Sequence, residues 1–234
     1  MSSKPVILLL HGALGSGKQF VDFEKILSEY FEVHILNFTG HYGNDPVDVP
    51  FSIDLFCNDV LNYIHKLNLD SVNLFGYSMG GYVAMALAMK FPDKVKAVLT
   101  LATKFDWNPE NAKKEVSMMD AEVMMAKIPE FVNILERRFA PRDWKVVLEN
   151  TKAMILNLGY HPLNDADLKN LSCRIRVCVG DRDKMVSIDS TQEVFRKLKN
   201  GSLLVLPDTA HPFECVNIER LKFEMVNFFC LNNQ

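Results

Sequence analysis

The chain has 234 residues, 48% of them hydrophobic and 24% charged, which is the balance of an ordinary globular protein with one mid-sized domain. Its 26 basic and 29 acidic side chains leave a formal net charge of −3. Nothing in that balance favours nucleic acid or an anionic membrane as a partner. The longest early apolar run, Val6–Leu10, is too short for a membrane span or a signal-peptide core.

The cysteines are odd in number and lack the spacing of a zinc site: Cys57, Cys173, Cys178, Cys215 and Cys230. We therefore expect reduced thiols that serve as packing residues, no bound metal and a cytoplasmic location.

Six short apolar runs predict buried strands: Val6–Leu10, Val33–Phe38, Val72–Phe75, Val95–Leu101, Ile175–Val179 and Leu203–Leu206. Each run is continuous rather than alternating, as expected when helices cover both faces of a parallel sheet. Amphipathic or small-residue stretches between them predict helices at Gln19–Tyr30, Ile53–Leu67, Met79–Lys90, Ser190–Lys199 and Ile218–Cys230. The alternation predicts an α/β fold with a doubly wound, mostly parallel six-stranded sheet, whose sites lie at the carboxyl ends of the strands.

The alternation stops between Lys104 and Leu171, where the pattern predicts helices and no strand. These helices are expected at Ala112–Lys127, Glu130–Phe139 and Asp143–Leu158. The interpretation is a helical cap, residues 104–171, inserted into a core made of residues 1–103 and 172–234. Four cap methionines either fill the core of the cap or line an adaptable apolar substrate surface: Met118, Met119, Met124 and Met125.

Two motifs compete for the functional site. After the first predicted strand, Gly12–Gln19 differs by one residue from the phosphate-binding pattern G-x-x-x-x-G-K-[ST]. Gln19 replaces the Ser or Thr whose hydroxyl ligates Mg²⁺, and the amide of Gln is a poor ligand for that ion. Nucleotide binding is therefore the weaker interpretation.

The second motif is Gly76–Gly80, a G-x-S-x-G sequence between a predicted strand and a small-residue helix. In that setting Ser78 is expected on a sharp turn, with its hydroxyl exposed at a helix N-terminus. A serine nucleophile needs a general base and an acceptor that orients the base. His211, after the last predicted strand, is the best-placed base. The acceptor is Asp183 or Asp181, and Asp183 is favoured because it lies further into its loop.

This order of serine, aspartate and histidine at successive strand ends resembles the α/β-hydrolase superfamily over nearly the whole chain. The resemblance implies that Ser78, Asp183 and His211 are catalytic. It also implies an oxyanion hole made by the backbone N–H groups of Ala13, directly after the HG turn, and Met79.

The HGALGSG and GYSMGG motifs and the size of the insertion are similar to a small capped branch that includes MenH-type enzymes and carboxylesterases. His11, Tyr77 and the four cap methionines are the candidate substrate contacts. Where such relatives have a D-x-x-G-H-G-x-S loop, residues 37–44 read N-F-T-G-H-Y-G-N. That departure means that the substrate of one relative does not transfer to this chain.

The sequence thus predicts a serine hydrolase that cleaves a carboxylic ester or thioester of a small to medium, partly apolar substrate through an acyl-enzyme on Ser78. No cofactor is expected, and the expected partner is a small molecule. The alternative is a non-hydrolytic or carbon–carbon lyase or synthase of the MenH type that uses the same triad. A non-catalytic binding protein is a third class, and the intact triad argues against it.

Overall fold

Six parallel strands form one sheet at the centre of the computed structural model, which describes residues 4–41 and 49–230. The strand order is β2-β1-β3-β4-β5-β6. In chain order the strands are β1 Val6–Leu10, β2 Glu32–Leu36, β3 Val72–Tyr77, β4 Val95–Leu101, β5 Arg174–Gly180 and β6 Gly201–Leu206. The predicted α/β fold with a six-stranded parallel sheet is confirmed.

Helices pack on both faces of this sheet. Five of them alternate with the strands: α1 Val21–Leu27, α2 Ile53–Lys66, α3 Met79–Lys90, α9 Ile188–Lys197 and α10 Ile218–Phe229. Alternate residues of β1 point to opposite faces. Ile7 and Leu9 join one buried cluster with α1 and α10, whereas Leu8 and Leu10 join a second cluster with α2 and α3. Burial on both sides explains why the strands read as continuous apolar runs.

Residues 104–171, all of which are described, contain five helices and no strand. They are α4 Pro109–Ser117, α5 Ala121–Lys127, α6 Pro129–Phe139, α7 Trp144–Tyr160 and α8 Asp165–Asn170. The single helix predicted over Ala112–Lys127 is wrong. The side chain of Asp120 accepts a hydrogen bond from the Val123 N–H at 2.9 Å, which starts a new helix after the break. The short helix α8, capped by Asn164, was not predicted.

The helical insertion shares a hydrophobic core with the sheet. Leu135, Phe139, Trp144 and Leu148 are buried in the same cluster as Leu8 of β1. The boundaries of a separate cap at residues 104 and 171 stay a prediction, because the contacts of the insertion are continuous with those of the rest of the chain.

The five cysteines are all free thiols. Cys57 and Cys178 are buried, but Cys215 is exposed, so the interpretation of every cysteine as a packing residue is wrong for Cys215. The described residues hold no group of three or more His, Cys, Asp or Glu side chains arranged for a metal ion. Within the same residues, no helix is long and apolar enough to cross a membrane.

The start of α3 lies against the end of β1. A Cβ atom added to Gly80 would lie 2.2 Å from the Leu10 carbonyl oxygen and 2.7 Å from that of His11, far inside van der Waals contact with rigid backbone. Gly80 therefore permits the close approach that sets α3, and the residue before it, at the edge of the sheet.

We predict that Gly80→Ala lowers the free energy of unfolding by about 1–3 kcal/mol, because β1 and α3 must separate to admit the methyl group. Chemical denaturation monitored by circular dichroism measures the change. At an unconstrained helix position the same substitution would raise stability by about 1 kcal/mol. An unchanged or higher denaturation midpoint would therefore contradict the close approach.

Candidate active site

Ser78 occupies the turn between β3 and α3 in a strained backbone conformation, with φ 50° and ψ −116°. Two contacts from the end of β4 hold this turn. The Ser78 N–H donates to the Leu101 carbonyl at 2.8 Å, and the Thr103 hydroxyl donates to the Ser78 carbonyl at 3.0 Å. The serine itself is partly exposed. The neighbouring strand thus fixes a serine that solvent and ligands can reach.

The structure brings His211 together with Asp183. Nδ1 of His211 lies 2.8 Å from Oδ2 of Asp183, whose side chain is fully buried. The other carboxylate oxygen accepts hydrogen bonds from the backbone N–H groups of Met185 at 2.8 Å and Val186 at 2.9 Å. Because the carboxylate accepts, Nδ1 of His211 carries a proton, and Nε2 is left to act as a base.

Asp181, the competing acidic residue, is exposed and has a different role. Its Oδ1 accepts from the Thr209 N–H at 3.2 Å, which links the loop after β5 to the loop after β6. Asp181 thus shapes the loop that carries His211 without touching the imidazole.

Tyr77 supports the same loop from below. Its hydroxyl donates to the His211 carbonyl at 3.0 Å, and the side chain is only 7% exposed. Burial raises the pKa of the Tyr77 phenol well above its ordinary value, so the group stays a neutral hydrogen-bond donor. The contact favours a role in positioning His211 over the predicted role in binding substrate.

Two backbone N–H groups flank the serine. A Cβ atom added to Gly12 would lie 3.2 Å from Cβ of Ser78, so the turn after β1 packs directly beside the serine. Ala13 follows in this turn, and Met79 opens α3, where first-turn amides have no intrahelical acceptor. No backbone carbonyl of the described residues accepts from either amide. The role of these two amides as oxyanion donors stays a prediction.

The backbone N–H groups that would bind phosphate in the nucleotide-binding interpretation already donate hydrogen bonds within the protein. The Gly15 N–H donates to the Gly12 carbonyl at 3.0 Å, and the Gly17 N–H donates to Oδ1 of Asn37 at 2.7 Å. The Ser16 N–H donates to the Gln19 side chain at 3.3 Å. These are the groups that would have to converge on a phosphate, so the arrangement argues against nucleotide binding.

Comparison with known proteins identifies the family of this chain. Residues 5–123 match the model of a family described as alpha/beta hydrolase fold. The chain belongs to the α/β-hydrolase family. The predicted resemblance is thus confirmed at the level of the superfamily.

Individual relatives of this α/β hydrolase carry several activities in their names. One is (E)-2-((N-methylformamido)methylene)succinate hydrolase of Acinetobacter baylyi, 23% identical over 219 residues, with 88% of this chain and 82% of that protein aligned. Another is ethanol acetyltransferase 1 of Cyberlindnera jadinii, 27% identical over 144 residues. That alignment covers 59% of this chain and only 40% of the acetyltransferase.

Among solved structures, a thermophilic esterase from Thermogutta terrifontis superposes with a TM-score of 0.77 at 21% identity. The superposition covers 97% of this chain and 90% of the esterase. At this level of identity the likeness shows a common fold.

His11 lies beneath the turn after β1 of this hydrolase. The side chain is fully buried, and the Phe38 N–H donates to Nε2 at 3.2 Å. Nδ1 must then carry the proton that is donated to the Gly12 carbonyl at 2.8 Å. Burial holds the pKa of His11 well below its ordinary value. With both nitrogens engaged, His11 is placed to support the turn rather than to contact substrate as predicted.

A second buried histidine adjoins His11. His41 stacks on Phe51 with ring centroids 5.0 Å apart, and its centroid lies 5.0 Å from that of His11. Its Nδ1 lies 3.2 Å from the Thr39 carbonyl, whereas Nε2 is buried with no hydrogen-bond partner among the described residues. Burial lowers the pKa of His41 to about 4. The rest of the divergent loop, residues 42–44, lies outside the described residues.

The four cap methionines differ in their surroundings. Met124 is buried in the large hydrophobic cluster, and Met119 and Met125 are half-buried against that cluster. Met118 is 59% exposed. Met124 therefore has the environment of a packing residue, and contact of these methionines with substrate stays a prediction.

The sequence does not predict two residues that bind the turns at this edge of the sheet. Thr103 binds the Ser78 carbonyl, and Arg138 of α6 donates from Nη1 to the Leu14 carbonyl in the turn after β1. The only sequence signal for Thr103 is weak: it is a polar residue two positions after the buried strand β4. Arg138 carries no signal, because an arginine on an amphipathic helix is ordinarily a solvated surface residue.

We predict that the folded protein loses stability on acidification between about pH 6.5 and pH 4. Below its ordinary pKa of 6.5 the unfolded chain protonates His41, whereas the folded chain resists protonation until about pH 4. The contribution of His41 to the free energy of unfolding is therefore largest above pH 6.5. The contribution of His41 falls by an amount on the order of 2 kcal/mol by pH 5.

Urea denaturation at pH 7.5 and pH 5 measures this loss. His41→Phe preserves the stacked ring and removes the titrating group, so its stability should change less between the two pH values. His65→Phe, at an exposed position of α2, is the matched control and should keep the wild-type pH dependence. Equal pH dependence of His41→Phe and wild type would contradict the assignment.

Proposed function

We propose that this α/β hydrolase cleaves carboxylic esters or thioesters through an acyl-enzyme on Ser78. The observation that carries the proposal is the 2.8 Å contact between His211 and the fully buried Asp183. Their loops follow β5 and β6, and they leave the same edge of the parallel sheet as the strained turn of Ser78 after β3. Membership of the family, and the hydrolase and acetyltransferase names of the two relatives, support acyl chemistry.

In the proposed first half-reaction, Oγ of Ser78 attacks the substrate carbonyl while Nε2 of His211 takes the hydroxyl proton. Asp183 remains ionised and stabilises the imidazolium that forms. The N–H groups of Ala13 and Met79 donate to the oxyanion, and each such donor typically contributes about 3 kcal/mol. The intermediate then collapses. The bond to the leaving group breaks, and His211 returns its proton to the departing alkoxide or thiolate.

In the second half-reaction, His211 takes a proton from water, and the hydroxyl attacks the acyl-enzyme. The tetrahedral intermediate releases Oγ of Ser78, which regains its proton from His211. The products are a carboxylic acid and the alcohol or thiol. An alcohol acceptor in place of water would give ester exchange by the same steps, and product analysis in ethanol-containing buffer measures that partition.

We predict that Ser78→Ala and His211→Ala each lower ester turnover by at least about 10³-fold, because nucleophile and base act as a unit. A fluorophosphonate probe should label the wild type and fail to label Ser78→Ala. The probe and a panel of p-nitrophenyl esters are measured together, and circular dichroism shows that the variants remain folded.

Three outcomes bear against this chemistry. Ser78→Ala turnover above about a tenth of the wild-type value would exclude an acyl-enzyme at this serine. Labelling without ester hydrolysis would favour the lyase or synthase alternative. A wild type that neither labels nor reacts would favour a binding protein on this fold.

We also predict that Asp183→Asn lowers kcat at least about 100-fold, whereas Asp181→Asn lowers it less than about threefold. An amide at position 183 favours the wrong imidazole tautomer while keeping the shape of the side chain. The two substitutions are chemically identical and lie two residues apart, so each controls for the other. The reverse ranking of kcat values would move the acceptor to Asp181.

A further inference from the structure

Arg138 reaches from the helical insertion to the turn that follows β1. Its Nη1 donates to the carbonyl of Leu14, a residue with φ 55° that directly follows Ala13. Ala13 supplies one of the two N–H groups proposed to bind the oxyanion. One whole peptide unit, the one that joins Ala13 to Leu14, lies between that N–H group and the carbonyl that Arg138 binds, so the two groups are at most about 7 Å apart.

The charge of Arg138 is poorly compensated within the protein. The side chain is half-buried, and burial lowers the pKa of its guanidinium. Glu214 acts on Arg138 only through space, since it is exposed and its Oε1 accepts from the Gln19 side chain at 3.3 Å. In the part of the chain that the structure describes, Nε and Nη2 of Arg138 have no acceptor. A partly desolvated guanidinium with unused donors matches the two oxygens of a carboxylate.

The preceding residue provides a contrast. Arg137 is exposed and its Nε donates to the Asn133 carbonyl of its own helix at 3.1 Å. Adjacent residues of a helix point in directions about 100° apart, which explains why only Arg138 faces the turn after β1. Arg137 thus has the same side chain as Arg138 and lies next to it in the sequence, but its guanidinium does not contact the turn after β1.

The face of α6 that carries Arg138 is otherwise apolar. Phe131 and Ile134 lie on it, seven and four residues before Arg138, and they are 38% and 42% exposed. An apolar surface therefore leads away from the guanidinium along the helix. A ligand with one anionic group and an apolar remainder fits this combination of one cation and a partly exposed apolar face.

We propose that Arg138 determines specificity by binding a carboxylate on the substrate. The proposal rests on the ester or thioester hydrolase activity proposed above. It adds a substrate class: esters or thioesters of which either the acyl group or the leaving group carries a carboxylate. A carboxylate within a few carbon atoms of the scissile carbonyl is expected, because the Ala13 N–H and the Leu14 carbonyl are at most about 7 Å apart.

Two matched pairs of esters test the proposal, each differing only in a carboxylate against a carboxamide. Monoethyl succinate and ethyl succinamate place the group on the acyl side, and acetoxyacetate and 2-acetoxyacetamide place it on the leaving-group side. Hydrolysis is followed by proton NMR. The wild type should prefer the anion in at least one pair. Arg138→Gln should lower kcat/KM for that anion about 10- to 100-fold and change the amide less than about twofold.

Arg137→Gln is the matched control and should leave both members of each pair unchanged. Arg138→Lys keeps the charge and should keep part of the preference for the anion. An equal loss for anion and amide in Arg138→Gln would mean that Arg138 only supports the Leu14 turn, which overturns the proposal. No preference for either anion in the wild type would overturn it as well.

A further measurement distinguishes failure of the proposed hydrolase reaction from failure of the proposed role of Arg138. If the wild type hydrolyses none of the four esters and is not labelled at Ser78, the hydrolase assignment fails. Calorimetric titration with succinate then tests whether Arg138 binds a carboxylate. Binding that Arg138→Gln abolishes and Arg137→Gln retains supports the site, whereas no binding to the wild type overturns it.

Discussion

The strained turn at Ser78 is the constraint on which the rest of the site depends. The positive φ of Ser78 is an unfavourable backbone conformation, and it persists only because neighbouring elements stabilise the turn. The Leu101 carbonyl and the Thr103 hydroxyl bind its two backbone polar groups from β4. Gly80 lets α3 close on β1 from the other side. Because β1, β3 and β4 are adjacent, the centre of the sheet determines where this serine lies.

Three of the buried polar side chains around this turn stay uncharged, whereas the buried Asp183 carboxylate binds the candidate base. Burial depresses the pKa of His11 and His41 and raises that of Tyr77, so these three groups act as uncharged donors and acceptors. Asp183 is a buried carboxylate with three hydrogen bonds, two of them from backbone amides. The result is an arrangement in which a buried carboxylate holds the candidate base through its Nδ1 atom.

The sheet could be predicted from the sequence, and candidates for the catalytic residues could be named, because both are associated with local sequence patterns. Doubly covered strands read as apolar runs, and a G-x-S-x-G motif between strand and helix requires glycines for close packing. The preference for Asp183 over Asp181 rested on loop position alone, and the structure pairs Asp183 with His211. The roles of His11 and Tyr77 were not predictable. The sequence around a buried histidine or tyrosine does not indicate which backbone groups its side chain will bind, because these contacts depend on the tertiary structure.

The helical insertion was the least predictable part for a physical reason. Its segments are amphipathic whether they pack on the sheet or on each other, so periodicity gives helices without their placement. A single Asp120 cap divides one predicted helix in two. The helix phase of α6 then decides which arginine meets the turn after β1, since a rotation of one residue would exchange Arg137 for Arg138. The proposed selection of substrate by Arg138 therefore depends on tertiary packing of the insertion, whereas the position of the candidate nucleophile depends on the sheet.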